Sequence, residues 1–383
     1  MPMSDDSNPM PTASQQSIQT EETSWQKARF RRIPIFTSNR QTGPDSASVK
    51  MQRERANIPW TKRLLKGIER KWGFLKTQDG FRQAPVLAAI RLVSWLARCS
   101  LRKAAVINLR RWNLQMFLPA GWRGFGKYIF AFRDKYEPEL VYLQRLLSSG
   151  NVFIDVGANM GIYTLVASRL VGETGRVIAF EPSAQSFPLL RKNIALNSLT
   201  NVLAFPVAIS HETGRTKLYH GPDPVCNSLG MDPSWDGDAE DVVTDSLDNM
   251  LQKASLERVD VMKIDVEGAE EFVLRGALKV VKSTRPVIIF EINPGACKCL
   301  GLSPHGVPKL LQSLGYKCFV LGERGTACQL DSPPGYFNVI AIPSNWNEHS
   351  LGLSQELNMN SGTEPESSSD PAEQYAVSAD EDN

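Results

Sequence analysis

Acidic residues and glycines recur in this sequence at one kind of place, just after a short apolar run. In Phe153–Gly161 (FIDVGANMG) Asp155 is the single charge of an apolar stretch, and Gly157, Asn159 and Gly161 follow it. A glycine turn lets a ligand approach the backbone, and a helix that starts there favours an anionic group at its N-terminus. The spacing is G-x-x-x-G, not G-x-G-x-x-G, which counts against a dinucleotide site. The next apolar run ends at Glu181, 20 residues beyond Gly161. An acid at that distance suits two hydrogen bonds from ribose hydroxyls. Its competing role is to complement a helix N-terminus, but its occurrence together with the glycine turn favours ribose. A third run, Met262–Glu270 (MKIDVEGAE), carries Asp265 and Glu267. Alternation in an extended chain would turn both to one side. A fourth run ends at Glu291. Three carboxylates at one rim suit orienting or deprotonating a hydroxyl, or holding a divalent cation. Glu270 and Glu271 open a helix, where carboxylates are favourable anyway.

Strands alternating with helices of about ten residues must position these groups. The pattern predicts strands over 152–156, 176–180, 202–209, 259–265, 286–291, 317–321 and 337–342, with 215–219 and 241–244 as short edge candidates. Helices are expected over 161–170, 186–197, 269–278 and 305–314, and another carries Leu140, Val141, Leu143, Leu146 and Leu147 on one face until Gly150 stops it. The result is an α/β protein with a mostly parallel sheet, whose ligands bind at the carboxyl ends of its strands.

The net charge of +2 over 383 residues conceals a segregation. Residues 21–145 hold 26 Lys/Arg against 9 Asp/Glu, whereas 346–383 hold nine acidic residues and no Lys or Arg. Residues 1–57 and 346–383 are polar and poor in periodic apolar positions, so disordered tails are expected there. Residues 58–149 read as a basic accessory segment, with amphipathic helices between Trp60 and Leu109 and a hairpin over Asn113–Phe132. Such a segment either packs on the core with its charges solvated or touches an anionic surface; nucleic acid is the less favoured partner, and peripheral membrane contact stays open. The six cysteines and four histidines are scattered, which speaks against a disulfide framework, zinc or haem. The N-terminus shows no basic-then-apolar leader pattern, and a cytoplasmic protein is expected.

Read in order, FIDVGANMGIYT, AFEP, LRKNIALN, SLD and KIDVEGAE with RGA resemble the FkbM family of S-adenosylmethionine-dependent methyltransferases, over roughly Gly150–Asn293. The resemblance implies a class I methyltransferase (Rossmann-like) domain over 150–345, with a seven-stranded sheet flanked by helices and an N-terminal helical and hairpin extension outside it. It implies that Asp155, Gly157, Asn159 and Gly161 hold the methionine end of S-adenosylmethionine, that Glu181 holds its ribose and that Ala208 lies by its adenine. Ser228 in CNSLG resembles a family serine. The acceptor would be a hydroxyl of a small molecule or glycan, and no metal ligand is assigned. Asp265 would take the hydroxyl proton, with Glu267 and Glu291 orienting the acceptor. Two other classes compete with this reading. A nicotinamide oxidoreductase of the short-chain type would want Tyr-x-x-x-Lys, and none of the eight tyrosines has a lysine four residues later. A non-catalytic binding module sits badly with intact glycine and acidic motifs. The segment 221–240, rich in Pro, Gly and Asp, reads equally as a flexible lid or a plain surface loop.

Overall fold

The computed structural model describes residues 75–76, 78–122, 125–135, 140–321, 327–330 and 337–346. The tail expected over 1–57, the one over 346–383 beyond Trp346, and the amphipathic run 60–74 lie outside these residues.

The described accessory part begins with the short helix α1 (Asp79–Gln83) and the long helix α2 (Pro85–Ser100). Pro85 suits the first turn of α2, where its missing N–H is not needed. Strands β1 (Ala105–Leu109) and β2 (Leu114–Leu118) pair antiparallel, Ala105 opposite Leu118 and Leu109 opposite Leu114. Alternation turns Ala105, Ile107, Leu109, Leu114, Met116 and Leu118 inward. The hairpin therefore lies upstream of the expected one over Asn113–Phe132. The run after the Gly-rich turn is the helix α3 (Phe125–Phe132). It buries Ile129, Phe130, Ala131 and Phe132 in succession, a pattern that a strand with one solvated face cannot satisfy. Gly126 lets α3 cross close to α2, since a Cβ there would stand 3.2 Å from the Trp95 ring. Trp95 donates its indole N–H to the Trp122 carbonyl at 3.3 Å and meets Phe130 with 5.0 Å between ring centroids.

Helix α4 (Leu140–Leu146) leads into the alternating core: β3 (Val152–Val156), α5 (Ile162–Val171), β4 (Arg176–Phe180), α6 (Phe187–Leu196) and β5 (Val202–Phe205). After β6 (Ala208–Ile209), β7 (Gly214–Tyr219), β8 (Ala239–Asp245) and α7 (Leu247–Lys253), the alternation resumes with β9 (Val261–Ile264). It continues with α8 (Glu270–Arg275), α9 (Leu278–Thr284), β10 (Val287–Ile292), α10 (Pro294–Cys299), α11 (Gly306–Ser313), β11 (Tyr316–Leu321), β12 (Ala327–Gln329) and β13 (Phe337–Pro343). The main sheet runs β12-β11-β13-β10-β9-β3-β4-β5. Strands β5, β4, β3, β9 and β10 are mutually parallel, and β13 is antiparallel to both of its neighbours. Seven strands form the expected mostly parallel sheet flanked by helices; the three-residue β12 adds an eighth at one edge. Strands β3, β9 and β10 are buried along their whole length, as expected for strands covered by helices on both faces.

Two features depart from the sequence pattern. The run 202–209 is not one strand: it breaks at Pro206, and only Val202–Phe205 stays in the main sheet. Proline lacks the N–H that a ladder needs, so the chain leaves the sheet there. Ala208–Ile209 then pairs parallel with β8, which also pairs antiparallel with β7. The two edge candidates thus build a separate three-stranded sheet, order β6-β8-β7, rather than an edge of the main one.

The order of connections reverses between β3 and β9: β3, β4 and β5 step one way, β9 and β10 the other. A crevice opens at the carboxyl ends of strands at such a point. Helix α6 ties the accessory hairpin to this crevice. Asn193 Oδ1 accepts the Phe117 N–H at 2.7 Å while its Nδ2 donates to the Met160 carbonyl at 2.9 Å. Asn197 accepts from the Gln115 N–H and donates to the Gln115 carbonyl, both at 2.7 Å. Side-chain amides here do what a neighbouring strand would do for an edge strand, each bond contributing about 0.5–1.5 kcal/mol.

Candidate functional site

The crevice is a cavity walled by the turn after β3, the ends of β4, β9 and β10, the start of β6, and the hairpin residue Met116 with Ile129 of α3. Its two ends differ in chemistry.

At the β3–β4 end the turn Gly157–Gly161 is shaped by the left-handed residues Gly157 (φ 81°), Asn159 (φ 50°) and Gly161 (φ 94°). Asparagine tolerates this conformation better than most residues, and glycine has no penalty there. Gly157 has a second reason to be glycine: a Cβ would stand 1.8 Å from the Asp265 carbonyl oxygen. The Gly157 and Ala158 N–H groups both donate to the Phe180 carbonyl, which presses the turn onto β4. Glu181 is buried beside the turn, its Oε2 accepting the Asn159 N–H at 2.8 Å and its Oε1 the Ser183 N–H at 2.9 Å. Burial pushes its carboxyl up to about 7, and the two N–H groups hold it from rising further. Phe180, Val207 and Ala208 supply an apolar wall near this carboxylate.

Asp155 stands apart from the other residues picked out in the glycine motif. It is fully buried under the turn and does not line the cavity, whereas Gly157, Asn159, Gly161, Glu181 and Ala208 do. Oδ2 accepts the Thr164 hydroxyl at 2.5 Å, and Oδ1 is buried without a hydrogen-bond partner among the described residues. Burial raises its carboxyl above the ordinary range, opposed by the Lys263 charge. In-register pairing places Asp155 opposite Lys263 on β9, so the acid braces the floor rather than the wall.

At the β9–β10 end, the register that pairs Ile264 with Phe290 brings Asp265 alongside Glu291. Asp265, Glu267 and Glu291 offer carboxylate oxygens within 4.8 Å of one another. All three line the cavity. The expected common direction of Asp265 and Glu267 holds, but not by strand alternation: β9 ends at Ile264, and Glu267 sits in a turn at φ 52°, followed by Gly268 at φ 95°. Burial, then the Asp265 and Glu270 charges, drive the Glu267 carboxyl well above its ordinary value. Asn293 donates to its Oε2 at 3.2 Å. Three carboxylate oxygens at this spacing would supply only part of the roughly six or more oxygen ligands a divalent cation takes.

Several residues of this end carry no signature that sequence spacing could reveal. Lys263 points along the strand into the rim, its ammonium 2.8 Å from Asp265 Oδ2 and 4.2 Å from the Tyr163 ring centroid. Its neighbours in the motif are apolar, so the only available signal was one cation in a buried strand. Glu270 does open a helix, but it is also buried, and its Oε1 accepts the Val266 and Gly268 N–H groups at 3.0 and 3.2 Å. It fastens the turn that aims Glu267; burial lifts its carboxyl to about 7. Ser228 donates to the Glu267 carbonyl at 2.7 Å and bridges to Tyr219. The segment 221–240 is therefore a wall rather than only a surface loop, with Pro224, Asn227 and Leu229 on the cavity. The thiols of Cys226, Cys297, Cys299 and Cys318 are all shifted up by burial, those of Cys297 and Cys318 to about 12, so none of them is a thiolate nucleophile near neutral pH.

Residues 155–318 match the methyltransferase FkbM domain. Methyltransferase sdnD of Sordaria araneosa is 29% identical, over 34% of this chain and 61% of that protein. Hexuronic acid methyltransferase AglP of Haloferax volcanii is 29% identical, over 42% of this chain and 61% of that protein. The chain thus spans about three fifths of the length of these curated relatives. Methyltransferase FkbM from Methylobacillus flagellatus KT is a solved structure with a TM-score of 0.34 and 13% identity, covering 66% of this chain and 59% of that one.

Proposed function

We propose that this chain, whose residues 155–318 match the methyltransferase FkbM domain, transfers a methyl group from S-adenosylmethionine to a hydroxyl of a sugar or other small-molecule acceptor. The observation that carries this reading is the division of one cavity into a nucleoside-like end and a carboxylate end. Glu181 spends one lone pair of each oxygen on a backbone N–H and keeps acceptor capacity for two adjacent ribose hydroxyls. The Phe180, Val207 and Ala208 wall suits a flat adenine. The donor set fits a cofactor of net positive charge, since Glu181, Asp265, Glu267 and Glu291 face a single Lys263 among the residues that line the cavity.

When bound, S-adenosylmethionine supplies an electrophilic methyl group on a sulfonium. The protein's share is alignment and the proton. Asp265 takes the acceptor proton, and its ion pair with Lys263 fixes which oxygen does so. Glu267, whose carboxyl is raised well above its ordinary value by burial and then by the Asp265 and Glu270 charges, orients the acceptor hydroxyl together with Glu291. Held in line, the acceptor hydroxyl reaches a near-attack geometry, which contributes up to about 7–11 kcal/mol in the best oriented cases.

Calorimetric titration with S-adenosylhomocysteine and, separately, with NAD tests the cofactor. Heat of binding with the first and none with the second is the expected result; the reverse rejects the methyltransferase reading. Transfer of labelled methyl from S-adenosylmethionine to a panel of alkyl glycosides and phenols then tests the hydroxyl class.

A further inference from the structure

Helix α2 is apolar on both faces. Ala88, Trp95 and Cys99 are buried against the rest of the accessory part. The opposite side carries Val86, Ile90 and Val93, 61–73% exposed, flanked by Leu87 and Leu96 and continued by Leu101. Spacing of i, i+4 and i+7 makes this one stripe along the helix. Seven of the nine large hydrophobic side chains exposed among the described residues fall in 86–106, so the stripe is a single patch rather than the ordinary scatter of surface apolar groups.

The patch has a mainly cationic surround, with Asp79 and Asp134 at its two ends in the sequence. From Gly80 to Arg133 there are ten Lys/Arg and no Asp or Glu. Beside the stripe lies a cavity of about 400 Å³, bordered by Leu87 and Val106 and lined by Arg91, Arg110, Arg133 and Lys135 against the single acid Asp134. Arg133 stacks 4.4 Å from the Phe130 ring, and its Nη1 is buried with no hydrogen-bond partner among the described residues. Burial and the Arg91 charge pull its guanidinium down to about 10, the neighbouring Asp134 carboxylate only partly opposing them.

We propose that the outer face of α2 docks on an anionic lipid bilayer, its aliphatic stripe entering the interface and the neighbouring cationic cavity receiving lipid phosphate. Three other occupants fit less well. The chain's own run 60–74 has five Lys/Arg and one Glu, the same sign as the patch, and a second copy of the patch would repel it likewise. The acidic tail has complementary charge but no apolar run to match the stripe. A nucleic acid would gain from stacking on aromatic rings, yet Trp95, Trp112 and Trp122 all turn inward, leaving aliphatic groups that gain only by leaving water. None of the described helices is long and apolar enough to cross a membrane, so the contact is peripheral.

The test is co-sedimentation of the full chain with phosphatidylcholine vesicles, with and without phosphatidylglycerol. The protein should pellet with the anionic vesicles alone and be released by salt. Ile90→Glu with Val93→Glu, both at exposed positions, should abolish pelleting while the circular-dichroism melt stays put. Arg110→Ala with Lys135→Ala should weaken it by about fivefold per charge removed. Equal pelleting with neutral vesicles, or undiminished pelleting of both variants, overturns the proposal. So does tighter retention on a polynucleotide than on anionic vesicles.

Discussion

The two ends of the cavity solve their problems with different materials. The β3–β4 end is built from backbone: left-handed turn residues, N–H groups and one clamped carboxylate. The β9–β10 end is built from charge: three carboxylates with oxygens within 4.8 Å of one another, and a lysine 2.8 Å from one of them. They stand back to back, since the space a Cβ on Gly157 would need is already taken by the Asp265 carbonyl. A backbone-built end fails when its shape changes. A charge-built end keeps its shape and fails when a proton is misplaced.

Substitutions that respect or violate this division should separate accordingly. Gly157→Ala should have the largest effect, because it pushes one end into the other. A left-handed non-glycine residue and a collision with backbone together predict a loss of about 2–5 kcal/mol in denaturant melts, with cofactor binding lost as well. If Gly157→Ala spares stability, the two ends are not mechanically joined. Asp265→Asn is nearly isosteric and should leave the melt and the S-adenosylhomocysteine affinity within a few fold, while turnover falls about 10²–10⁴-fold. A variant that turns over normally removes Asp265 from the proton-accepting role.

Glu181→Gln should weaken the cofactor by about 1.5–3 kcal/mol and also lower the melt, because Gln has one oxygen for the two N–H groups of Asn159 and Ser183. The sign of its pH dependence follows from the carboxyl's value of about 7: below it the group takes a proton and loses acceptor capacity. Cofactor affinity should therefore fall as pH drops through about 7, and calorimetry on Glu181→Gln should find that slope flattened. Glu270→Gln is the mildest. Its carboxyl is also raised to about 7 in the folded protein, so it contributes stability below its unfolded value of about 4.3, and this is lost as pH rises through about 7. The ligand-free protein should lose at most about 1.4 kcal/mol per pH unit from this group across that window, and the variant should lose less. A steeper slope in the variant would mean that Glu270 does not hold the Gly268 turn as a buried acid.

Legibility in the sequence follows the same division. Turn geometry demands particular residues at particular spacings, so Gly157, Asn159, Gly161 and Glu181 stood out and do line the cavity. Asp155 stood out for the same reason and lies beneath it, because a lone charge in an apolar strand looks alike whether it faces a ligand or a buried lysine. Lys263 and Glu270 went unread as site residues. Each acts through a partner that only pairing brings near: Asp265 beside Lys263 at the strand end, and the turn N–H groups above Glu270. Met116 could not be assigned to the cavity at all, since its place there depends on Asn193 and Asn197 holding a hairpin some 76 to 82 residues away in sequence.

The sequence by itself determined the alternation of strands and helices, the parallel core, the glycine turn and the acids that follow apolar runs. These are local demands of periodicity and backbone conformation, and each is written in adjacent residues. Tertiary structure alone decided that Pro206 would send 208–209 into a second sheet, that the accessory hairpin would wall the site, and that one face of α2 would remain apolar and exposed. Those outcomes depend on which surfaces meet, and the free energy of burial is set by the neighbour as much as by the residue.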